Sequence, residues 1–366
     1  MKNFLLQKKY TNKLVLAAVL ALSAMISNGQ ILKVAVAGLT HDHVNGLLGQ
    51  YKRGEVLIVG IAETDQQLID RHKKKSELPD SIFFKSLTDL LKHVKPDVVL
   101  AYNATSEHLG VVEICAPMGL SVMVEKPLAT KVKDAERIAA LAAQHHVQVL
   151  TNYETTWYSS NQQVYETAHE QHAIGDLRKM IVHSGHQGPK AIGCSKEFLS
   201  WLTDPVMNGG GAVMDFGCYG ANLMTWMMNG KMPIAVTAIT KHIQPAAYPK
   251  VDDEATILLE YPEATGIIEA SWNWPFGIKD FELFGTTGYL HATDGKTLIK
   301  RDKNTYDTAV VKPAIYKDNL TYLAKVLTGE IKPANDLSSL ENNLVVVKIL
   351  EAATKSAKEG KRIVLQ

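Results

Sequence analysis

Cysteine is scarce: the 366 residues hold three, Cys115, Cys194 and Cys218. Three thiols cannot all pair, and Cys115 falls within an apolar helical pattern, so no disulfide framework is expected. No His/Cys spacing resembles a zinc site, and no metal is expected. An excess of one charge is also missing. Lys and Arg number 39 against 38 Asp and Glu, with no basic run. That excludes the electrostatic footprint of a nucleic-acid partner. No internal repeat and no low-complexity linker interrupt the chain. The apolar run Leu14 to Met25 is too short and too poorly flanked to serve as a membrane anchor.

That run is preceded by Lys2, Lys8, Lys9 and Lys13, with no acid, and followed by Ser27 and Gly29 as a small-x-small cleavage signature. The pattern is that of a secretory signal peptide over residues 1–29. No Arg-Arg pair and no cysteine after the run point to Sec-type export of a soluble protein. A periplasmic or secreted location, without membrane contact after cleavage, is the expectation. Loss of four lysines and no acid takes the net charge from +1 to −3. The remaining length suggests two domains.

From Ile31 short apolar strands alternate with helical segments. Strands are predicted at 31–37, 56–62, 97–102, 121–124 and 147–151, and helices at 44–51, 66–75, 108–118 and 132–145. This βαβ order with continuous apolar strands implies a doubly wound parallel sheet, a Rossmann-type domain over residues 30–152. Beyond that the texture changes. Long alternating strands are predicted at 179–186, 234–242, 255–261, 265–272 and 281–284, separated by turns such as Gly285-Thr286-Thr287-Gly288. One helix, 212–228, is inserted. The fold class is therefore α/β: a Rossmann domain followed by an α+β domain, residues 153–366, with an open, mainly antiparallel sheet. A final amphipathic helix, about 337–358, is expected to pack back toward the first domain.

Ligands of open α/β sheets bind beyond the carboxyl ends of the strands. Three strand ends matter here. The first turn reads Gly38-Leu39-Thr40-His41-Asp42-His43. Gly38 fits the first glycine of the dinucleotide fingerprint, whereas Thr40 and His43 occupy the other two glycine slots. A helix N-terminus still points at an anion there, and Thr40 or His41 adds side-chain donors. The second strand ends in Glu63, about 20 residues on, the position that bonds ribose hydroxyls and repels a 2′-phosphate; this predicts NAD over NADP. After the third, Asn103 lines the groove. His108 reads equally as a groove residue or as a satisfied histidine in the first turn of a helix.

Val124-Glu125-Lys126-Pro127 closes the strand 121–124, and Gly209-Gly210-Gly211 leads to Asp215 and Tyr219, spaced i, i+4 on a predicted helix. Oxidising a carbinol needs a base for the hydroxyl proton and positive charge where negative charge develops on oxygen. Tyr219 is the base candidate, Lys126 the electrostatic partner and Asp215 the orienting group. The alternative roles are a helix cap for Asp215 and interface packing for Tyr219. A phenol ordinarily titrates at about 10, so nearby positive charge is required. His186 and Lys190 are candidates to bind sugar hydroxyls, with Trp201 and Trp272 as stacking platforms; an edge-strand histidine and core tryptophans are equal alternatives. Tyr153 and Asn222 join the same list.

These motifs resemble the Gfo/Idh/MocA oxidoreductases: Glu125-Lys126-Pro127 looks like that family's signature and Gly209 to Tyr219 its second motif. Asp252-Asp253-Glu254-Ala255, Ser271-Trp272 and Gly285 to Gly288 resemble its substrate-domain sheet. The tyrosine at 219 is similar to the glucose-fructose oxidoreductase branch. The resemblance implies NAD between the two domains, Glu125 beside the cofactor, Lys126 on both the nicotinamide ribose and the reacting oxygen, a cis Lys126-Pro127 bond and a homo-oligomer. The implied function is an exported, NAD(H)-dependent sugar or polyol oxidoreductase. An oxidation-elimination-reduction glycosidase and a non-catalytic carbohydrate-binding protein are the alternatives.

Overall fold

The computed structural model describes residues 31–365. The signal-peptide reading of residues 1–29 lies outside them. Continuous apolar runs form the strands of the first half: β1 (Lys33–Ala37), β2 (Leu57–Ala62), β3 (Phe83–Phe84), β4 (Val98–Ala101), β5 (Val122–Glu125) and β6 (Val149–Asn152). They make a six-stranded parallel sheet in the order β3-β2-β1-β4-β5-β6. Helices α1 (Val44–Lys52), α2 (Gln66–Ser76), α3 (Leu87–His93), α4 (His108–Cys115) and α5 (Val132–His145) cover its two faces. Asp65 caps α2 through the amides of Gln67 and Leu68, and Ser86 caps α3 through that of Asp89. The strand order changes direction beside β1, so a crevice opens beyond β1 and β4.

The second half holds α6 (Ser159–Tyr165), β7 (Leu177–Gly185), α7 (Lys196–Leu202), α8 (Ala212–Asp215), α9 (Gly217–Met227), β8 (Ala235–Lys241), β9 (Glu254–Glu260) and β10 (Thr265–Ser271). These are followed by β11 (Ile278–Gly285), β12 (Tyr289–Ala292), β13 (Leu298–Arg301), β14 (Tyr306–Ala309), α10 (Asn319–Leu327), α11 (Leu340–Glu359) and β15 (Ile363–Val364). A nine-stranded sheet runs β14-β13-β12-β11-β7-β10-β9-β8-β15. Every pairing in it is antiparallel except β7 with β10. One face packs on α9 and α11, burying Met224, Ile257, Ile268 and Leu350. The other face is open and leaves Ile239 and Leu258 exposed.

Helix α11 lies between the domains. Its Ile349 and Leu350 join the core of the second domain, while Val347 packs with Ile138 and Leu141 of the first. Glu351 accepts the amide of Val132 at 2.8 Å. Among the described residues, no helix is long and apolar enough to cross a membrane.

The helix expected over 212–228 is broken. Phe216 (φ −109°, ψ −32°) ends α8, and α9 starts at Gly217. Ahead of the break, Asp252 anchors the start of α8. The Asp252 carboxylate accepts the amides of Gly211 and Val213, at 2.9 and 2.7 Å, and its carbonyl accepts that of Ala212 at 3.1 Å. A Cβ on Gly211 would stand 1.7 Å from the Asp252 carbonyl oxygen. Gly211→Ala should therefore cost more than about 4 kcal/mol, the range of severe packing clashes. Urea unfolding of the variant checks it, with a shift below 1 kcal/mol as the contrary result.

Candidate active site

Gly38 turns the chain at the end of β1 with φ +79°, and a Cβ there would press to 2.8 Å from the Asn103 Cβ. The glycine lets the turn lie directly on the loop after β4. Glu63, at the end of β2, reaches back. One carboxylate oxygen accepts the Leu39 amide at 2.9 Å, and the other those of Thr64 and Asp65. Among the described residues the amides of Thr40 and Asp42 have no acceptor. The buried Asn103 Oδ1 is likewise unpartnered. A groove of about 540 Å³ runs past Gly38, Thr40, Glu63, Asp65 and Asn103. Free amides for a pyrophosphate, a carboxylate for ribose hydroxyls and an orphaned amide oxygen fit an NAD dinucleotide.

The two fingerprint histidines turn toward β5. His43 Nδ1 lies 2.9 Å from Glu125 Oε2. His41 is buried against Phe198 and Trp201, and its Nδ1 accepts the His43 amide at 3.2 Å. That bond leaves the proton on Nε2, which faces Glu125 at 4.0 Å as a donor. Burial, with His43 and Lys126 nearby, holds His41 well below the usual histidine range, so it is neutral. Burial alone would raise the Glu125 carboxyl; His43, Asn152 and Lys126 outweigh it and bring it down.

Lys126 follows through the expected cis bond to Pro127. Its ammonium is buried and touches Asp215 twice, at 2.5 Å to Oδ1 and 3.0 Å to the main-chain oxygen. The second contact exists because the helix breaks at Phe216: the Tyr219 amide bonds Phe216 O and frees Asp215 O. Trp272 Nε1 donates to the other Asp215 oxygen at 2.9 Å. Burial opposes the charge on both partners, and their mutual attraction overrides it, raising Lys126 and lowering Asp215.

Tyr219 lies across this pair, with the Lys126 ammonium 5.0 Å from its ring centroid. The ring packs edge-on against Tyr153 and stacks on Phe216. Only 2% of the residue is exposed. Its hydroxyl has no hydrogen-bond partner among the described residues, yet it is not sealed from solvent. The ring borders a narrow cleft with Thr155, Asn161, Ser184 and Lys279. Burial pushes the phenol well above its ordinary value.

Residues 195–208 of the second domain cross the crevice. Ser195 N donates to Asp42 Oδ2 at 2.8 Å, and Glu197 pairs with Arg71 at 2.7 Å on one lip. Asn208 bonds Thr105, and Met207 O accepts the Ser106 amide at 3.0 Å, on the other.

The pattern of an oxidoreductase domain with an NAD-binding Rossmann fold matches residues 32–153, and that of the Gfo/Idh/MocA C-terminal domain matches 135–291. The chain belongs to the Gfo/Idh/MocA oxidoreductase family. It is 23% identical over 231 residues to trans-1,2-dihydrobenzene-1,2-diol dehydrogenase of Sus scrofa, a match covering 63% of this chain and 64% of that enzyme. The Mus musculus enzyme is 24% identical over 270 residues, covering 73% and 74%. The aldose-aldose oxidoreductase of Caulobacter crescentus, solved with glycerol, superposes with TM-score 0.76 at 20% identity, covering 92% of this chain and 100% of that one. An inositol dehydrogenase homologue from Azotobacter vinelandii, solved with NAD+, gives 0.78 at 15% identity, covering 93% and 100%. At those identities the likeness to the solved structures is one of fold.

Within this Gfo/Idh/MocA fold, Glu125, Lys126, Asp215 and Tyr219 come together, and His186 joins them. Its ring meets Phe216 edge-on at 4.8 Å, and its Nδ1 accepts the Gly188 amide. Other expected site residues lie elsewhere. Asn222 is buried with its amide on Leu337 O at 2.8 Å and on Asn343, where it anchors the start of α11. Lys190 bonds Ala247 O and covers the Tyr248 ring. Tyr248 and Trp272 stand between it and Asp215. Trp201 packs on His41 and Phe198, and Trp272 serves Asp215 instead of offering a face to a ligand. His108 is the helix histidine, its Nδ1 3.1 Å from Leu128 O while its buried Nε2 has no partner among the described residues; burial brings its pKa down to about 4. Tyr153 is fully buried behind Tyr219.

Lys279 was not anticipated. It shares strand parity with buried Phe281 and Leu283, so β11 directs it to the inner face of the sheet. A lysine in phase with two core residues was the legible signal.

Proposed function

We propose that this chain is an NAD-dependent oxidoreductase that transfers hydride at a carbinol carbon of a sugar, polyol or related vicinal diol. The convergence of Lys126 from one domain with Asp215 and Tyr219 from the other, at the end of β5, carries the reading. Bound NAD supplies the hydride acceptor or donor. Gly38, the Thr40 and Asp42 amides, Glu63 and Asn103 would hold its adenosine and pyrophosphate, and Glu125 and Lys126 would lie at the nicotinamide end. As phenolate, Tyr219 takes the hydroxyl proton while the carbonyl forms, and the phenol so made returns it in the reverse direction. The Lys126 ammonium meets the negative charge that develops on the same oxygen. Asp215 fixes that ammonium through two contacts, and Trp272 fixes Asp215.

The names of the relatives support the substrate class, diols on one side and aldoses and inositol on the other. Export through residues 1–29 belongs to the same proposal. The strap of residues 195–208 supports a cofactor retained through turnover, since it ties both lips of the crevice together. The open sheet face, with Ile239 and Leu258 exposed, supports a homo-oligomer.

The test is incubation of the purified protein with a panel of sugars, polyols and cyclic diols. Products and bound dinucleotide are followed by mass spectrometry. A ketone or lactone product together with NAD or NADH released on denaturation is the expected result. Absence of bound dinucleotide, with no binding of added NAD, overturns the reading.

A further inference from the structure

The Tyr219 ring has a second cation. Lys279 places its ammonium 4.9 Å from the ring centroid, matching the 5.0 Å of Lys126. The two arrive from different domains, Lys126 from the end of β5 and Lys279 from β11. Both distances fall within the range where a ring and a cation attract. They differ in how free their charge is. Lys126 is sealed against Asp215, with both side chains almost fully buried. Lys279 is 24% exposed and pairs with Glu154, whose side chain is 49% exposed and also accepts Tyr158 Oη at 2.7 Å.

The remaining charge around the phenol is negative. Glu125 faces it from β5, Glu154 from the segment after β6 and Asp215 from the preceding helix, while burial pushes the adjacent Cys218 thiol up to about 12 and leaves it neutral. His183 and Asp280 border the same cleft, and His186 stands near Lys126 and Lys279. Burial and these carboxylates hold the proton on the phenol, and each cation at the ring works against them. With Asp215 holding Lys126, the further offset comes from β11.

We propose that Lys279 is a positioning residue for Tyr219: it holds positive charge over the phenol ring and keeps the Glu154 carboxylate from acting on it, so that the hydroxyl gives up its proton more readily than it would without the lysine. The assignment rests on the reading of Tyr219 as the proton acceptor. Losing Lys279 has a double consequence. A cation leaves the ring, and Glu154 remains unpaired beside it. Removing Glu154 as well restores part of the balance.

The experiment compares Lys279→Met, Lys279→Arg and Glu154→Gln/Lys279→Met with the parent. Tyr219 ionisation is read as tyrosinate absorbance against pH, after subtraction of the matching Tyr219→Phe protein. The pH profile of kcat/KM is recorded on the best substrate of the panel. Lys279→Met should move the Tyr219 midpoint up by at least about one unit, a loss of roughly tenfold in the ionised fraction at a fixed pH below the midpoint. The ascending limb of kcat/KM should move with it. Lys279→Arg should keep the parent midpoint, and the double variant should lie between. A merely structural lysine would lower activity equally at every pH and leave the midpoint where it was. A midpoint unmoved in Lys279→Met overturns the proposal. A parent that turns over nothing removes the proposed function alone, because the ionisation comparison needs no substrate.

Discussion

Lys126→Met will cut turnover by about 10²–10³ and weaken the fold at once, and a second substitution will separate the two losses. The ammonium is buried with Asp215 as its counter-charge, at 2.5 Å. Removing it leaves a buried carboxylate with only the Trp272 indole as donor on its far oxygen. Breaking one partner out of a buried pair costs about 3–5 kcal/mol, mostly the penalty of the abandoned charge. Lys126→Met/Asp215→Asn abandons no charge and should recover most of that stability in urea melts. It should recover no activity. The developing oxyanion still lacks its cation, a deficit of about 10²–10³ in rate for a lost oxyanion donor. Recovery of turnover in the double variant would mean that the lysine is there for packing.

Tyr219→Phe is the complementary change. It deletes one oxygen that bonds nothing among the described residues, and it leaves the ring between Tyr153, Phe216 and the two ammonium groups. Stability should stay within about 0.5 kcal/mol, as for substitutions that break no specific interaction. Dinucleotide binding should be unchanged. The rate of hydride transfer in single turnover should fall by about 10²–10⁴, the usual contribution of a positioned acid-base group. A variant that keeps its rate but binds sugar more weakly would make Tyr219 a binding residue instead.

Lys126, Asp215 and Tyr219 were legible because each is tied to a local signal: a strand end closed by proline, and a triple glycine before an i, i+4 pair. The strands of the first domain were legible for a simpler reason. Buried on both faces, Val98–Ala101 and Val122–Glu125 are nearly all apolar. Phe83–Phe84 is a two-residue edge strand, and α3 a seven-residue helix behind it, too short for periodicity to register. The short strands β12, β13 and β14 lie toward the far edge of the second sheet and alternate too briefly to stand out.

The break at Phe216 was not legible, nor was the anchoring of α8 by Asp252, some forty residues on, through the amides of Gly211 and Val213. Asn222, Lys190 and His108 failed for the same reason. Each is a polar residue near a motif, and its true partner is a backbone oxygen distant in sequence: Leu337, Ala247 or Leu128. Residue type marks what a side chain is able to bond, and only the fold decides which acceptor it meets.

The most direct test is a crystal structure of the protein with NAD and the preferred sugar or polyol bound. One substrate oxygen should lie within about 2.6–3.2 Å of both the Tyr219 hydroxyl and the Lys126 ammonium, its carbon facing the nicotinamide ring. A substrate seated beyond reach of either group would contradict the shared-oxygen arrangement.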